Sequence, residues 1–278
     1  MRSLLILASL LLTQILSAQD ELGIAEKMFE DGDYEAVIEF VHSFEIRHPQ
    51  DLLLEADAYH KLGDYSQAAE TYTQALARDE NNVKALMRRG AVYLELNDFG
   101  FALKDVKKAL RLWPEHPEAN FHMGNICYDQ QDLRNAVKYY KLAIDYRPGY
   151  AKATYMLGAA KSEMGHFKDA EKAFGSVIEK IPTAKYNLAV VRLEEEKYES
   201  AIELFTDLET SGWTTYADLY FFRAEAYFYT NDKDNACKDY LKSKMLGDEE
   251  ANDIYDSYCL KSKKKNARKK REVQRIAL

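Results

Sequence analysis

The 278-residue chain has three cysteines and five prolines, and it lacks the short signatures that usually betray chemistry. It has no GxxxxGK[ST] phosphate loop, no HExxH, no GxSxG and no GxGxxG following a strand. The usual sequence grounds for nucleotide hydrolysis, zinc proteolysis, serine hydrolysis or dinucleotide redox chemistry are therefore missing. Six histidines (His42, His48, His60, His116, His122, His166) are scattered, with no two spaced three or four apart on one helix. Cys127, Cys237 and Cys259 show neither CxxC nor Cys/His spacing, so no metal site is indicated. Acidic runs such as Glu194–Glu196 and Asp248–Glu250 point in different directions around a helix and read as solvated faces. No cofactor and no enzymatic activity are expected. Beyond the first residues, no apolar run approaches the roughly 20 residues of a membrane span.

What the chain does have is a beat. Gly63, Asn97, Gln131 and Gly165 follow one another at 34 residues; Gly32 precedes them by 31, and Glu196 and Asn231 continue at 31 and 35. A fixed period in this range marks a stacked-repeat architecture. Each unit reads as two amphipathic helices. Small residues recur in the first (Ala25, Ala56, Gly90, Gly124, Gly158, Ala189, Ala224) and again 12 residues later (Val37, Ala68, Ala102, Ala136, Ala170, Ala201, Ala236). Small side chains let two helix backbones approach. Tyr72, Val106, Tyr140, Phe174, Phe205 and Tyr240 fill the remaining gap, and Ala75, Ala109 and Ala143 meet the next unit. Gly or Asn at the turn tolerates a positive φ, the following Asp can cap the next helix, and Pro49, Pro114, Pro148 and Pro182 end units.

The turns Gly63–Tyr65, Asn97–Phe99 and Gly165–Phe167, together with these small-residue series, resemble the tetratricopeptide repeat family. The clearest copies are 49–82, 83–116, 117–150 and 151–184; those at about 18–51, 185–215 and 217–250 are weaker. Lys161 and Arg192 stand where the family has a large apolar residue, and Lys233 replaces the turn aromatic. The resemblance implies an all-α, right-handed superhelical solenoid of about seven helix-turn-helix repeats over 19–250. A C-terminal capping helix and basic tail would occupy 251–278.

It also implies a concave groove lined by the first helices. One lining position reads Leu53, Met87, Phe121, Tyr155, Tyr186, Phe221; the next reads Leu54, Arg88, His122, Met156, Asn187, Phe222; a third reads Asp57, Ala91, Asn125, Ala159, Val190, Glu225. The apolar stripe would receive an extended peptide or a partner helix, with Lys84, Arg88, His122, Asn125 and Lys152 able to hold a carboxylate or backbone amide. The same side chains could instead pack between neighbouring first helices, and both readings stand at this level. The family's chaperone-binding carboxylate clamp does not fit, because Leu22, Glu26 and Leu54 occupy its earlier positions.

The two ends carry separate signals. Arg2, an apolar run from Leu4 to Leu12 that extends to Leu16, and small residues at Ser17 and Ala18 have the form of a secretory signal peptide over 1–18. Export to the periplasm or beyond is expected, with no transmembrane anchor after cleavage, as in small secreted bacterial repeat proteins. From Lys261 to Leu278 there are nine Lys/Arg and one acid, while residues 1–260 hold 29 basic and 45 acidic residues. The tail could meet an anionic surface; nucleic acid is disfavoured, since no aromatic residues interleave the charges. In an oxidising compartment Cys237 and Cys259 could staple the cap to the last repeat, although spacing alone does not supply the separation a disulfide needs. Cys127 reads as a buried free thiol. The function expected is a non-enzymatic protein-interaction scaffold of the bacterial envelope; the alternative is an envelope assembly factor held to an anionic surface by its basic tail.

Overall fold

The computed structural model describes residues 21–44 and 47–260. The predicted signal segment 1–18 and the basic tail lie outside these residues. Among the described residues there are helices and no strand. They run as pairs: α1 (21–31) with α2 (Tyr34–His42), α3 (Pro49–Leu62) with α4 (Tyr65–Arg78), α5 (Val83–Glu95) with α6 (Phe99–Leu112), and α7 (Pro117–Asp129) with α8 (Leu133–Tyr146). Then follow α9 (Ala151–Glu163) with α10 (Phe167–Gly175), α11 (Thr183–Glu194) with α12 (Tyr198–Thr210), and α13 (Ala217–Tyr229) with α14 (Lys233–Met245). A short α15 (Glu249–Ile254) continues into a wider, π-type turn, Tyr255–Leu260. The chain divides into two compact units between Pro148 and Gly149.

The beat in the sequence is a beat in backbone conformation. Gly32, Gly63, Asn97, Gln131, Gly165, Glu196 and Asn231 all have positive φ, between 58° and 89°. This left-handed residue ends one helix and reverses the chain into the next; glycine adopts it freely, whereas Gln131 and Glu196 do so against side-chain sterics. The next residue caps the second helix. Asp64, Asp98, Asp132 and Asp232 accept hydrogen bonds from the amides of Gln67, Phe101, Asn135 and Asn235. His166 and Lys197 hold the same place with no side-chain cap.

Each pair closes on its small residues. The seven residues from Val37 to Ala236 at the second-helix position are fully buried, as are the fillers Tyr72, Val106, Tyr140 and Phe205. A Cβ on Gly124 would lie 2.5 Å from the Tyr140 ring, one on Gly158 2.9 Å from Phe174, and one on Gly90 3.3 Å from Val106. Glycine at 124 and 158 is required by close approach, an aromatic ring of the second helix meeting bare backbone, and Gly90 is a tight fit against Val106.

In the unit after Gly149, the charged replacements in the packing pattern find partners on α10. Lys161 pairs with Asp169 at 3.0 Å, Arg192 with Glu171 at 2.7 Å and Lys197 with Glu171 at 2.8 Å. Lys233, at the place of a turn aromatic, sits 4.1 Å over the Tyr258 ring. That ring belongs to the terminal segment, which buries Ala251, Tyr255 and Cys259 against Ala224, Ala236 and Tyr240. Cys237 and Cys259 are joined by a disulfide, Cα atoms 5.7 Å apart. Cys127 is free and half-buried, and burial raises its thiol pKa.

Candidate binding faces on the first helices

A first helix of a repeat packs one face on its own second helix and turns the adjacent positions outward, so the three series named above share one side of each unit. In the unit before Pro148 that side is largely closed. Leu53 and Met87 belong to the core cluster, with Met87 only 4% exposed. Phe121 is half-buried, 5.5 Å from the His122 ring and 6.0 Å from Tyr140.

Two of the polar candidates here, Arg88 and Asn125, are engaged, while Lys84 is exposed. Arg88 is ion-paired with Asp57, which also accepts the Tyr72 hydroxyl hydrogen bond. Asn125 accepts a hydrogen bond from the Tyr140 hydroxyl at 2.9 Å. These contacts follow a rule across repeats. Where the filler is tyrosine (Tyr72, Tyr140, Tyr240), the residue 15 positions earlier is an acceptor (Asp57, Asn125, Glu225) and takes its hydroxyl. Where the filler is Val106, Phe174 or Phe205, that residue is Ala91, Ala159 or Val190. A buried hydroxyl needs a partner, and burial raises the pKa of Tyr72 and, with Glu225, of Tyr240.

The unit after Gly149 is more open. Lys152 is exposed. Tyr155 lies edge-on to Phe174 at 5.6 Å, and its hydroxyl accepts a hydrogen bond from the Asn187 amide at 2.9 Å. Tyr186 stacks on Trp213 at 6.3 Å and meets Phe222 at 6.5 Å; burial, and secondarily Asp218, raises its hydroxyl pKa. Trp213 stacks on Tyr216 at 4.7 Å, and Phe221 touches Phe222 and Tyr240. Tyr186, Trp213, Tyr216 and Phe222 thus form one aromatic neighbourhood, to which Tyr155 is tied through the Asn187 hydrogen bond and Phe221 through its contact with Phe222. Trp213 and Tyr216 escape sequence reasoning because they sit in the irregular loop 211–216, outside the repeat. The face offers ring surfaces and an amide, groups suited to holding a chain segment. Among the described residues no group of three or more His, Cys, Asp or Glu could hold a metal ion, and no helix is long and apolar enough to cross a membrane.

Helix pairs of 31 to 35 residues, closed by small residues and turned by a left-handed residue, define a helical-repeat protein. Tetratricopeptide repeat models match residues 56–97, 92–151, 128–191 and 217–246. The chain belongs to the tetratricopeptide repeat family, and its fold is an all-α solenoid of such repeats. No curated protein matches it significantly. Among solved structures, it resembles a tetratricopeptide repeat protein from Parabacteroides merdae ATCC 43184 at 19% identity and TM-score 0.60, covering 86% of this chain and 97% of that one. PilW, titled a widely conserved type IV pilus biogenesis factor, matches at 21% identity and TM-score 0.65, over 74% of this chain and 97% of its own. Pseudomonas aeruginosa PilF matches at 19% identity and TM-score 0.65, over 75% and 97%. At these identities the likeness concerns the fold. The family is in general a non-catalytic scaffold for protein interaction.

Proposed function

We propose that this protein is an exported, non-enzymatic scaffold that captures an extended segment or helix of a partner protein on the first-helix face of its repeats. The observation that carries the reading is the aromatic neighbourhood of Tyr155, Tyr186, Trp213, Phe221 and Phe222, with the Asn187 amide at its edge. These rings are only partly buried, so they offer anchoring surface that the core does not consume. A preordered repeat stack lowers the ordering cost of binding, so that distributed weak contacts suffice. Export rests on the signal-like residues 1–18.

The test is a crosslinking pull-down from native envelope extract. The mature chain is compared with a variant carrying Phe121→Ala, Tyr155→Ala and Tyr186→Ala. A partner retained by the mature chain and lost by the folded variant supports recognition by this face; equal retention by both overturns it. A second reading, association with an anionic surface through the basic tail, is favoured by the nine Lys/Arg after Leu260. It predicts salt-sensitive binding to anionic vesicles that disappears when residues 261–278 are removed.

A further inference from the structure

The end of the last repeat is closed by a short segment that a covalent bond ties down. Residues 249–260 take the place of one further first helix: Ala251, Tyr255 and Cys259 stand third, seventh and eleventh from its start, as Ala119, Met123 and Cys127 do in α7. These three are buried against Ala224, Ala236, Cys237 and Tyr240. Yet α15 is six residues long, about half the length at which an isolated helix becomes marginal. Residues 255–260 continue in the π-type form, which is rare beyond single turns.

The segment is held at three places. At its start, Asp248 accepts hydrogen bonds from the Ala251 amide at 3.0 Å and the Ser243 hydroxyl at 2.7 Å. In its π-type half, Asp256 meets Lys244 at 2.9 Å and Tyr258 meets Phe228 edge-on at 5.2 Å. At its far end, Cys259 is bonded to Cys237, 22 residues earlier. The ion pair is exposed at Asp256 and therefore weak, and Tyr255 and Cys259 are the buried residues of that half.

We propose that the Cys237–Cys259 disulfide is a redox latch: reduction by a dithiol releases residues 255–260 and opens the end face of the last repeat, Ala224, Ala236 and Tyr240, while the helix pairs before it stay folded. In this step a thiolate of the reductant attacks one cysteine sulfur. The Cys237–Cys259 bond breaks as a mixed disulfide forms, and the reductant's second thiolate then closes its own disulfide. Two electrons pass to the protein, and its two cysteines each end with one proton. Burial sets the order of attack: Cys259 is fully enclosed and Cys237 is 8% exposed, so the reductant meets Cys237 first. The earlier helix pairs close on their own small residues, and Cys127 is free, so they do not depend on the bond. The bared face is of the kind on which each repeat receives the next first helix, which makes the latch a gate on that face. The inference is independent of partner capture on the first-helix face.

The experiment follows amide hydrogen exchange by mass spectrometry on the full chain, oxidised and after dithiothreitol, with free thiols counted in parallel. Expected are one thiol before treatment and three after it. Exchange in 249–260 should become about tenfold or more faster on reduction, with protection in α3–α12 unchanged, and reoxidation should restore slow exchange. A Cys237→Ser/Cys259→Ser variant should match the reduced chain without any reductant, and Cys127→Ser should respond as the unaltered chain does. The proposal is overturned if 249–260 stay protected although three thiols are counted, or if the folded chain keeps a single thiol under dithiothreitol. It is equally overturned if protection falls alike in every helix pair, which would make the bond a staple of the whole fold.

Discussion

Two repeats of the same unit, 151–184 and 217–250, solve one packing problem in opposite ways. At the matched registers the first has apolar residues, Leu157 and Ala173 at one pair of positions and Ala159 and Phe174 at the other. The second closes with polar ones. Arg223 holds Asp239 in a two-point contact, Nε to Oδ2 at 2.6 Å and Nη2 to Oδ1 at 3.0 Å, and pairs with Glu209 at 2.7 Å; Glu225 takes the Tyr240 hydroxyl. The first relies on Gly158 for helix approach and Gly165 for its turn, the second on Ala224 and Asn231. The backbone plan is shared, so the repeat tolerates either chemistry provided that both members of a pair change together. Arg89 and Asp105, joined at 2.7 and 2.8 Å, repeat the polar solution in the other unit.

The largest effect should come from breaking one such pair. Asp239→Ala leaves the buried Arg223 guanidinium with only Glu209 as an acidic partner, beside the Thr206 hydroxyl, and should cost roughly 3 kcal/mol or more in denaturant unfolding. Arg223→Leu combined with Asp239→Ala, which copies Leu157 and Ala173, should recover most of that loss. If the double variant is as unstable as the single, the two repeats are not interchangeable solutions. The glycine contrast is next. Gly124→Ala should destabilise by about 1–3 kcal/mol through the clash with Tyr140, Gly158→Ala by less, and Gly90→Ala least, following Cβ approaches of 2.5, 2.9 and 3.3 Å. An order that departs from these distances would show that the second helices shift freely. The smallest effect has the opposite sign. Glu196→Gly relieves a left-handed glutamate and should raise stability by about 0.5–1 kcal/mol, a small rise in melting temperature. The equivalent change at Asn231 should gain less, because asparagine tolerates that conformation better.

Much of this was legible beforehand, and the particular residues show why. All seven beat positions adopt a left-handed turn conformation, because a helix-to-helix reversal imposes one backbone conformation on one residue, whatever surrounds it. The small-residue series marks helix contacts for the same reason of local sterics. The terminal segment's apolar residues and the Lys233 substitution were visible too, but that Lys233 rests on Tyr258 was not.

The candidate binding residues were less legible. Asn125 and Arg88 looked available, and the structure gives them Tyr140 and Asp57 as partners. The signal was present as a correspondence between tyrosine fillers and acceptors 15 residues before them, but it emerges only when all repeats are compared. Trp213 and Tyr216 carried no signal, lying where the period breaks.

The sequence by itself determined the repeat period, the helix pairs, the turn conformations and the family, since these depend on short-range sterics and on burying one face of each helix. Only the tertiary structure decided which polar side chains are already paired, which rings stay open and where Tyr258 meets Phe228. A side chain's availability depends on neighbours 15 or 30 residues away, whose chemistry the repeat pattern leaves free to vary.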